Sequence, residues 1–220
     1  MSSRSWPKRV WYQFLHVSCR LLAVTLYRYR AAGRDRVPSS GGVLVLSNHQ
    51  SYLDPLVVGL TIDRRLNYLA RDTLFRFAPF RWLIQSLDAI PIDREGLGLS
   101  GLKETLRRLK RGEMVLAFPE GTRTPDGEVG QLMPGFTSVA RRAGVPLLPV
   151  GLDGPFDAFP RTALLPRLSP LAVVVGHPVM PEEIKRYSDR DLVAEIQRRI
   201  VAAHAEARAL RTQGREGCLS

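Results

Sequence analysis

From Val43 to Val175, short and largely apolar runs alternate with longer stretches of helical spacing, and no other feature of this chain constrains its fold so tightly. The runs are Val43–Leu46, Leu66–Leu69, Ala89–Ile92, Met114–Phe118, Leu147–Val150 and Leu171–Val175. Each has the length of a strand, and apolar residues in succession mark a strand buried on both faces. Between them Pro55–Thr61, Thr73–Leu87, Leu99–Arg111 and Gly135–Ala143 carry helical spacing. A last helix is predicted from Ser188, an N-cap with Asp191 at its third position, to about Leu210, with Leu192, Ile196 and Ile200 on one stripe. Strand and helix in alternation predict an α/β fold: a mixed, largely parallel sheet flanked by helices on both faces. The Pro- and Gly-rich stretch Asp153–Pro170 reads as a long loop.

The chain has 220 residues, room for one ordinary domain and too little for two full enzyme domains. A 45% hydrophobic share with 24% charged residues belongs to folded chains and excludes a disordered or collagen-like one. Two cysteines, Cys19 and Cys218, make no disulfide framework and suit a reducing compartment. Lys and Arg number 32 against 21 Asp and Glu, a net +11, so the partners are expected to be anionic: nucleic acid, a phosphorylated substrate or an acidic membrane. Zinc-finger spacing, an RNP-like segment and a helix-turn-helix signature are all missing from the sequence, so no nucleic-acid partner is expected. His16, His49, His177 and His204 lie far apart with no Cys/His spacing, and no metal site is expected either.

The cations crowd the N-terminus, where residues 1–36 hold eight against the single acid Asp35. The apolar and aromatic segment Val10–Tyr29 is broken by His16, Arg20 and Arg28. A spanning helix needs about 20 mostly apolar residues, and a central Arg costs at least about 2.5 kcal/mol. A secretory signal fits poorly, because Arg20 interrupts the apolar run. The segment therefore predicts an interfacial helix: Trp6, Trp11, Tyr12, Tyr27 and Tyr29 suit the headgroup region and the flanking cations suit anionic lipid. The alternative is a helix packed on the body of the same protein. Residues 1–32 are thus expected to dock the chain on a membrane, monotopic or peripheral, with the main domain over 33–211 and a flexible tail over 212–220.

Three polar clusters stand where candidate strands end, the place where open α/β sheets bind ligands. The first is Ser47-Asn48-His49-Gln50-Ser51-Tyr52-Leu53-Asp54-Pro55. His and Asp five apart would stand about 140° apart on a regular helix, so facing each other requires a turn. Pro55 favours one, since it disfavours helical geometry at Asp54 and suits the first helical position itself. In such a turn the carboxylate can fix the imidazole tautomer and raise its basicity, as a general base acting on a hydroxyl needs. The plainer alternative is that Asp54 only caps the helix. The second cluster, Pro119-Glu120-Gly121-Thr122-Arg123, pairs a glycine with an Arg among hydroxyls and suits an anionic group, or else is a polar turn. The third, Ile92-Asp93-Arg94, offers another Arg or an internal ion pair. The sequence holds no Gly-x-Ser-x-Gly motif to carry a covalent acyl-enzyme.

Taken in order, Asn48–Asp54, Ile92–Arg94, Phe118–Arg123 and Val145–Val150 resemble the four blocks of the glycerolipid acyltransferases, and within them the lysophosphatidic acid acyltransferases. The resemblance covers about Gly33 to Val179. It implies that His49 is the general base and Asp54 its orienting partner. It also implies that Arg94 and Arg123 meet a phosphate and that Glu120, Gly121 and Thr122 help bind the acceptor. The implied reaction moves a fatty acyl group from acyl-CoA or acyl carrier protein, both substrates, with no bound cofactor, to the free hydroxyl of lysophosphatidic acid. Phosphatidic acid would form on the cytoplasmic face of the cell membrane. Two positions depart from the family pattern: Met133 stands where a Lys is frequent, and Asp88 replaces a Gly. Met133 keeps open a different lysolipid acceptor, and a noncatalytic, basic membrane-binding protein is the alternative from another class.

Overall fold

The computed structural model describes residues 20–71, 90–92 and 99–216. The order of elements follows the apolar runs. Residues 20–27 are helical (α1), then come β1 (Arg30–Ala32), β2 (Val43–Ser47), α2 (Asp54–Thr61), β3 (Leu66–Arg71) and β4 (Ile90–Ile92). They are followed by α3 (Leu99–Lys110), β5 (Met114–Ala117), α4 (Gly135–Ala143), β6 (Leu147–Asp153), α5 (Pro155–Ala158), β7 (Ala172–Val175), α6 (Pro181–Ile184) and α7 (Asp189–Glu216). The predicted helix over Thr73–Leu87 lies outside the described residues.

The strands form one sheet in the order β1-β7-β6-β2-β5-β3-β4. Every pairing is parallel except β6 with β7, so the sheet is mixed and largely parallel, as the alternation predicts. β2 lies at the centre and is buried along its whole length. Its alternate residues serve two cores: Val43 and Val45 pack with Val57, Val58 and Met114 on one face, while Leu44 and Leu46 pack with Leu109, Val139 and Ile196 on the other. Two-sided burial is why these strands are apolar at every position.

The long helix α7 lies along β6 and β7. Ser188 caps it as expected: its hydroxyl accepts from the Asp191 N–H at 3.1 Å and meets the Asp191 carboxylate at 2.7 Å. Leu192, Ile196 and Ile200 are fully buried, each worth about 1.5–3 kcal/mol. The helix reaches the sheet backbone at Gly151, where a Cβ would lie 2.2 Å from the Ala203 carbonyl carbon and the His204 nitrogen.

Three boundaries differ from the expectation. Arg30–Ala32, placed by composition at the end of the N-terminal helix, form an edge strand on β7; Arg30 N–H donates to the Leu171 carbonyl and Tyr29 is buried in the core. Three residues with a cation and two alanines have no periodicity to show a strand. α7 runs past Leu210 to Glu216, where a tail was expected, and the Thr212 hydroxyl donates back to the Arg208 and Ala209 carbonyls one turn earlier. The Asp153–Pro170 connection also contains a single helical turn, α5. No helix among the described residues is long and apolar enough to cross a membrane.

Candidate active site

Parallel register brings two loops together. Leu46 of β2 is level with Ala117 of β5, so the chain leaving β2 at Ser47 and the chain leaving β5 at Ala117 emerge side by side. Three residues beyond each registered position stand His49 and Glu120, and the His49 N–H donates to Glu120 Oε1 at 2.9 Å. The His49 carbonyl accepts from the Thr124 N–H at 2.8 Å, so the β5 loop holds both polar groups of the His49 main chain. The other Glu120 oxygen, Oε2, accepts from the Gly130 N–H at 3.1 Å, and a Cβ on Gly130 would come within 2.8 Å of it. Burial pushes the Glu120 carboxyl above the usual carboxylate range, against the His49 and Gly130 N–H groups, which hold it down.

The segment from His49 to Asp54 makes the expected turn into α2. Asp54 is fully buried, and its Oδ2 accepts three hydrogen bonds: from His49 Nδ1 at 2.8 Å, the Gln50 N–H at 2.5 Å and the Ser51 N–H at 2.7 Å. Pro55 sits in the first turn, where its missing N–H costs nothing. Asp54 thus orients the imidazole and holds the turn at once. Burial pushes its carboxyl above the ordinary range, opposed by the hydrogen bond and charge of His49 and by the Ser51 and Gln50 N–H groups. With Nδ1 donating to Asp54, Nε2 is the nitrogen left to take a proton. The imidazole stacks on Phe118 at 4.0 Å and 16°, and its side chain is 20% exposed, open enough to meet a substrate.

Neighbouring side chains pin the turn to the sheet. Asn48 donates from Nδ2 to the Leu152 carbonyl at 3.0 Å and accepts from the Leu152 N–H at 2.8 Å, acting as a length of strand beside β6. Gln50 donates to the Gly127 carbonyl at 2.6 Å and accepts from the Phe156 N–H at 3.3 Å. Ser51 donates from Oγ to the Phe159 carbonyl at 2.7 Å. Sequence reasoning gave none of these three a role; the partners are main-chain groups about 77–108 residues away and leave no residue signature.

Arg123 lies over the Tyr52 ring, its guanidinium carbon 3.5 Å from the centroid, and its Nη1 is buried without a hydrogen-bond partner among the described residues. An orphaned guanidinium N–H on the loop that bonds the His49 main chain is suited to an anionic ligand. Gly121 has φ 71°, and a Cβ there would lie 2.3 Å from the Met133 Cε. Met133 therefore stands at this site, with its N–H donating to the Pro119 carbonyl at 2.8 Å and its side chain 56% exposed. Thr122 is exposed on the same loop. Arg94 lies outside the described residues; β4, the strand before it, runs parallel to β3 and ends at the same edge of the sheet. The described residues hold no group of three or more His, Cys, Asp or Glu able to hold a metal ion.

Comparison with known proteins points to one family. The family model described as Acyltransferase matches residues 28–153. A 1-acyl-sn-glycerol-3-phosphate acyltransferase of Bacillus subtilis is 26% identical over 162 residues, 73% of this chain and 78% of that protein. One from Pseudomonas aeruginosa is 36% identical over 128 residues, which are 56% of this chain and about half, 48%, of that protein. The crystal structure of the 1-acyl-sn-glycerophosphate (LPA) acyltransferase PlsC from Thermotoga maritima superposes with a TM-score of 0.79 over 95% of this chain and 84% of that one, at 24% identity, and shares the fold.

Proposed function

The chain belongs to the Acyltransferase family, and from that premise we propose that it transfers a fatty acyl group from a thioester to the free hydroxyl of lysophosphatidic acid, giving phosphatidic acid. The observation that carries the reading is the His49–Asp54 pair, held in a turn by three donors on one carboxylate oxygen. The acceptor hydroxyl gives its proton to His49 Nε2 as its oxygen attacks the thioester carbonyl carbon. The carbon–sulfur bond then breaks, and the thiolate leaves with the proton that His49 returns. No covalent enzyme intermediate is needed.

Arg123 is assigned to the acceptor phosphate on the strength of its orphaned Nη1, and Arg94 by family resemblance. Glu120 acts by holding the His49 main chain, with Gly121 and Thr122 lining the acceptor side. The donor is acyl-CoA or acyl carrier protein, whose acidity suits the net +11 of the chain. Residues 33–211, with β1 added to their sheet, form the catalytic domain. The N-terminal segment docks on the anionic cytoplasmic face of the cell membrane as a peripheral or monotopic anchor.

A second acceptor is favoured by one observation, the apolar Met133 against Gly121 where a cation would strengthen phosphate binding. Competition between lysophosphatidic acid and neutral-headgroup lysolipids separates the two acceptors. The primary test is thiol release from palmitoyl-CoA by wild type and His49→Ala at equal folded concentration. Release that needs lysophosphatidic acid and falls by about 10³-fold or more in the variant is the expected result. Full activity in a folded His49→Ala protein would overturn the reading.

A further inference from the structure

The connection between α5 and β7 carries the three most exposed large apolar side chains of the described residues: Leu164, Leu165 and Leu168 are 95%, 77% and 68% exposed. Residues 160–170 also hold Arg161 and Arg167, both exposed, and no acidic residue. Single exposed leucines are ordinary in proteins, but three within five residues at a loop tip form an apolar patch with a basic flank.

The segment is fixed at both ends. On one side the Phe159 carbonyl accepts from Ser51 Oγ, and the Phe159 ring lies 6.0 Å from that of Tyr52, the residue under Arg123. The Arg167 N–H donates to the Ala158 carbonyl at 2.7 Å, closing the loop on α5. On the other side the Leu171 N–H donates to the Tyr27 carbonyl at 3.0 Å, at the end of α1. That helix exposes Leu21, Leu22, Val24 and Leu26, so two apolar segments meet at one anchor. Leu164 is five residues from Phe159, which bounds its distance from that anchor beside Ser51 and Tyr52 at about 18 Å.

We infer that residues 160–170 form a second membrane-docking element, in which Leu164, Leu165 and Leu168 enter an anionic bilayer while Arg161 and Arg167 meet lipid phosphates, holding the His49 site at the lipid surface. The inference rests on the lipid-substrate reading above. Charge selects the occupant: a second copy of the chain would set these cations against their own equivalents, whereas anionic headgroups neutralise them. The arrangement of leucines at a tip with arginines on the shoulders matches the apolar-to-polar gradient of a bilayer interface.

The test places a fluorophore at residue 165, as Leu165→Cys in a Cys19→Ser/Cys218→Ser chain, and adds phosphatidylcholine vesicles with or without phosphatidylglycerol and with a nitroxide on the acyl chains. Quenching by the anionic vesicles is the expected result. An unquenched label on protein that sediments with those vesicles overturns the proposal, as does a failure to sediment with them. A lipid-free shift of the label with self-association by light scattering also overturns it, in favour of a second copy. In parallel, Leu164→Ser/Leu165→Ser/Leu168→Ser is expected to weaken vesicle binding by about 100-fold or more while keeping thiol release with a short-chain lysophosphatidic acid dissolved in water. Loss of that release in a folded variant would overturn the separation of docking from chemistry. Quenching without thiol release by wild type on any acceptor would leave the docking element standing and remove the acyl-transfer reading instead.

Discussion

Asp54 is buried with Oδ1 unpartnered among the described residues, while Oδ2 collects three donors. Burial makes a charge costly at this position, and His49 with the Gln50 and Ser51 N–H groups offsets part of that cost. Its folded pKa is raised above the unfolded value, so the stability it contributes is full below the unfolded pKa and is lost as pH rises through the folded one. At neutral pH, then, the neutral Asp54→Asn variant is expected to melt no lower than wild type, and any advantage it has shrinks as pH falls through the raised folded pKa toward about 4, with no further change below that. Its amide offers the wrong partner to His49 Nδ1, so kcat is expected to fall on the order of 10³–10⁴-fold, the scale of tautomer loss in hydrolytic triads. Thermal melts at several pH values together with thiol release check both halves, and a destabilised variant that kept its activity would contradict both. The turn that brings Asp54 onto His49 was legible because the two cannot face each other on a regular helix and Pro55 favours a turn before it. The hold of Glu120 on the His49 and Gly130 N–H groups was not legible, because it depends on strand register, which no single sequence displays.

Strands β2 to β7 were readable from the sequence because burial on both faces demands apolar residues in succession. β1 and α5 were not, being too short to complete a period, and they are held by tertiary contacts that join Tyr29 to the core and Pro155–Ala158 to the end of β6. The packing of α7 on β6 was visible as a stripe, but the closeness of the approach was hidden in Gly151. A methyl group there meets main-chain atoms of Ala203 and His204, which cannot swing aside as a side chain would. Gly151→Ala is therefore expected to lower stability by about 1–3 kcal/mol or more, measured by denaturant unfolding with an unchanged slope. The neighbouring turn should suffer too, since Asn48 is bonded to Leu152 one residue on. A variant with wild-type stability would mean that α7 slides along the sheet more freely than its fully buried Leu192, Ile196 and Ile200 imply.

Over the whole molecule, on the docking inference, charge and apolar exposure divide the work of reaching a lipid surface. The net charge of +11 acts at a distance and is screened by salt, whereas the leucines of the 160–170 loop act only on contact. Long-range attraction governs how often a protein meets a surface, and contact burial governs how long it stays. Under the docking inference the two should separate in stopped-flow measurements with phosphatidylglycerol-containing vesicles. Raising salt from about 50 to about 500 mM is expected to slow association on the order of tenfold. Leu164→Ser/Leu165→Ser/Leu168→Ser is expected to leave association within about twofold and to speed dissociation on the order of 100-fold. Equal acceleration of dissociation by salt alone would mean that Arg161, Arg167 and the N-terminal cations retain the protein, with the leucines idle. A site built at the carboxyl edge of the sheet, beside a loop that leaves the surface slowly, would meet several lipid substrates in each visit. Faster dissociation in the leucine variant should then lower turnover on vesicles in proportion to the shortened residence, with no change on a water-soluble acceptor.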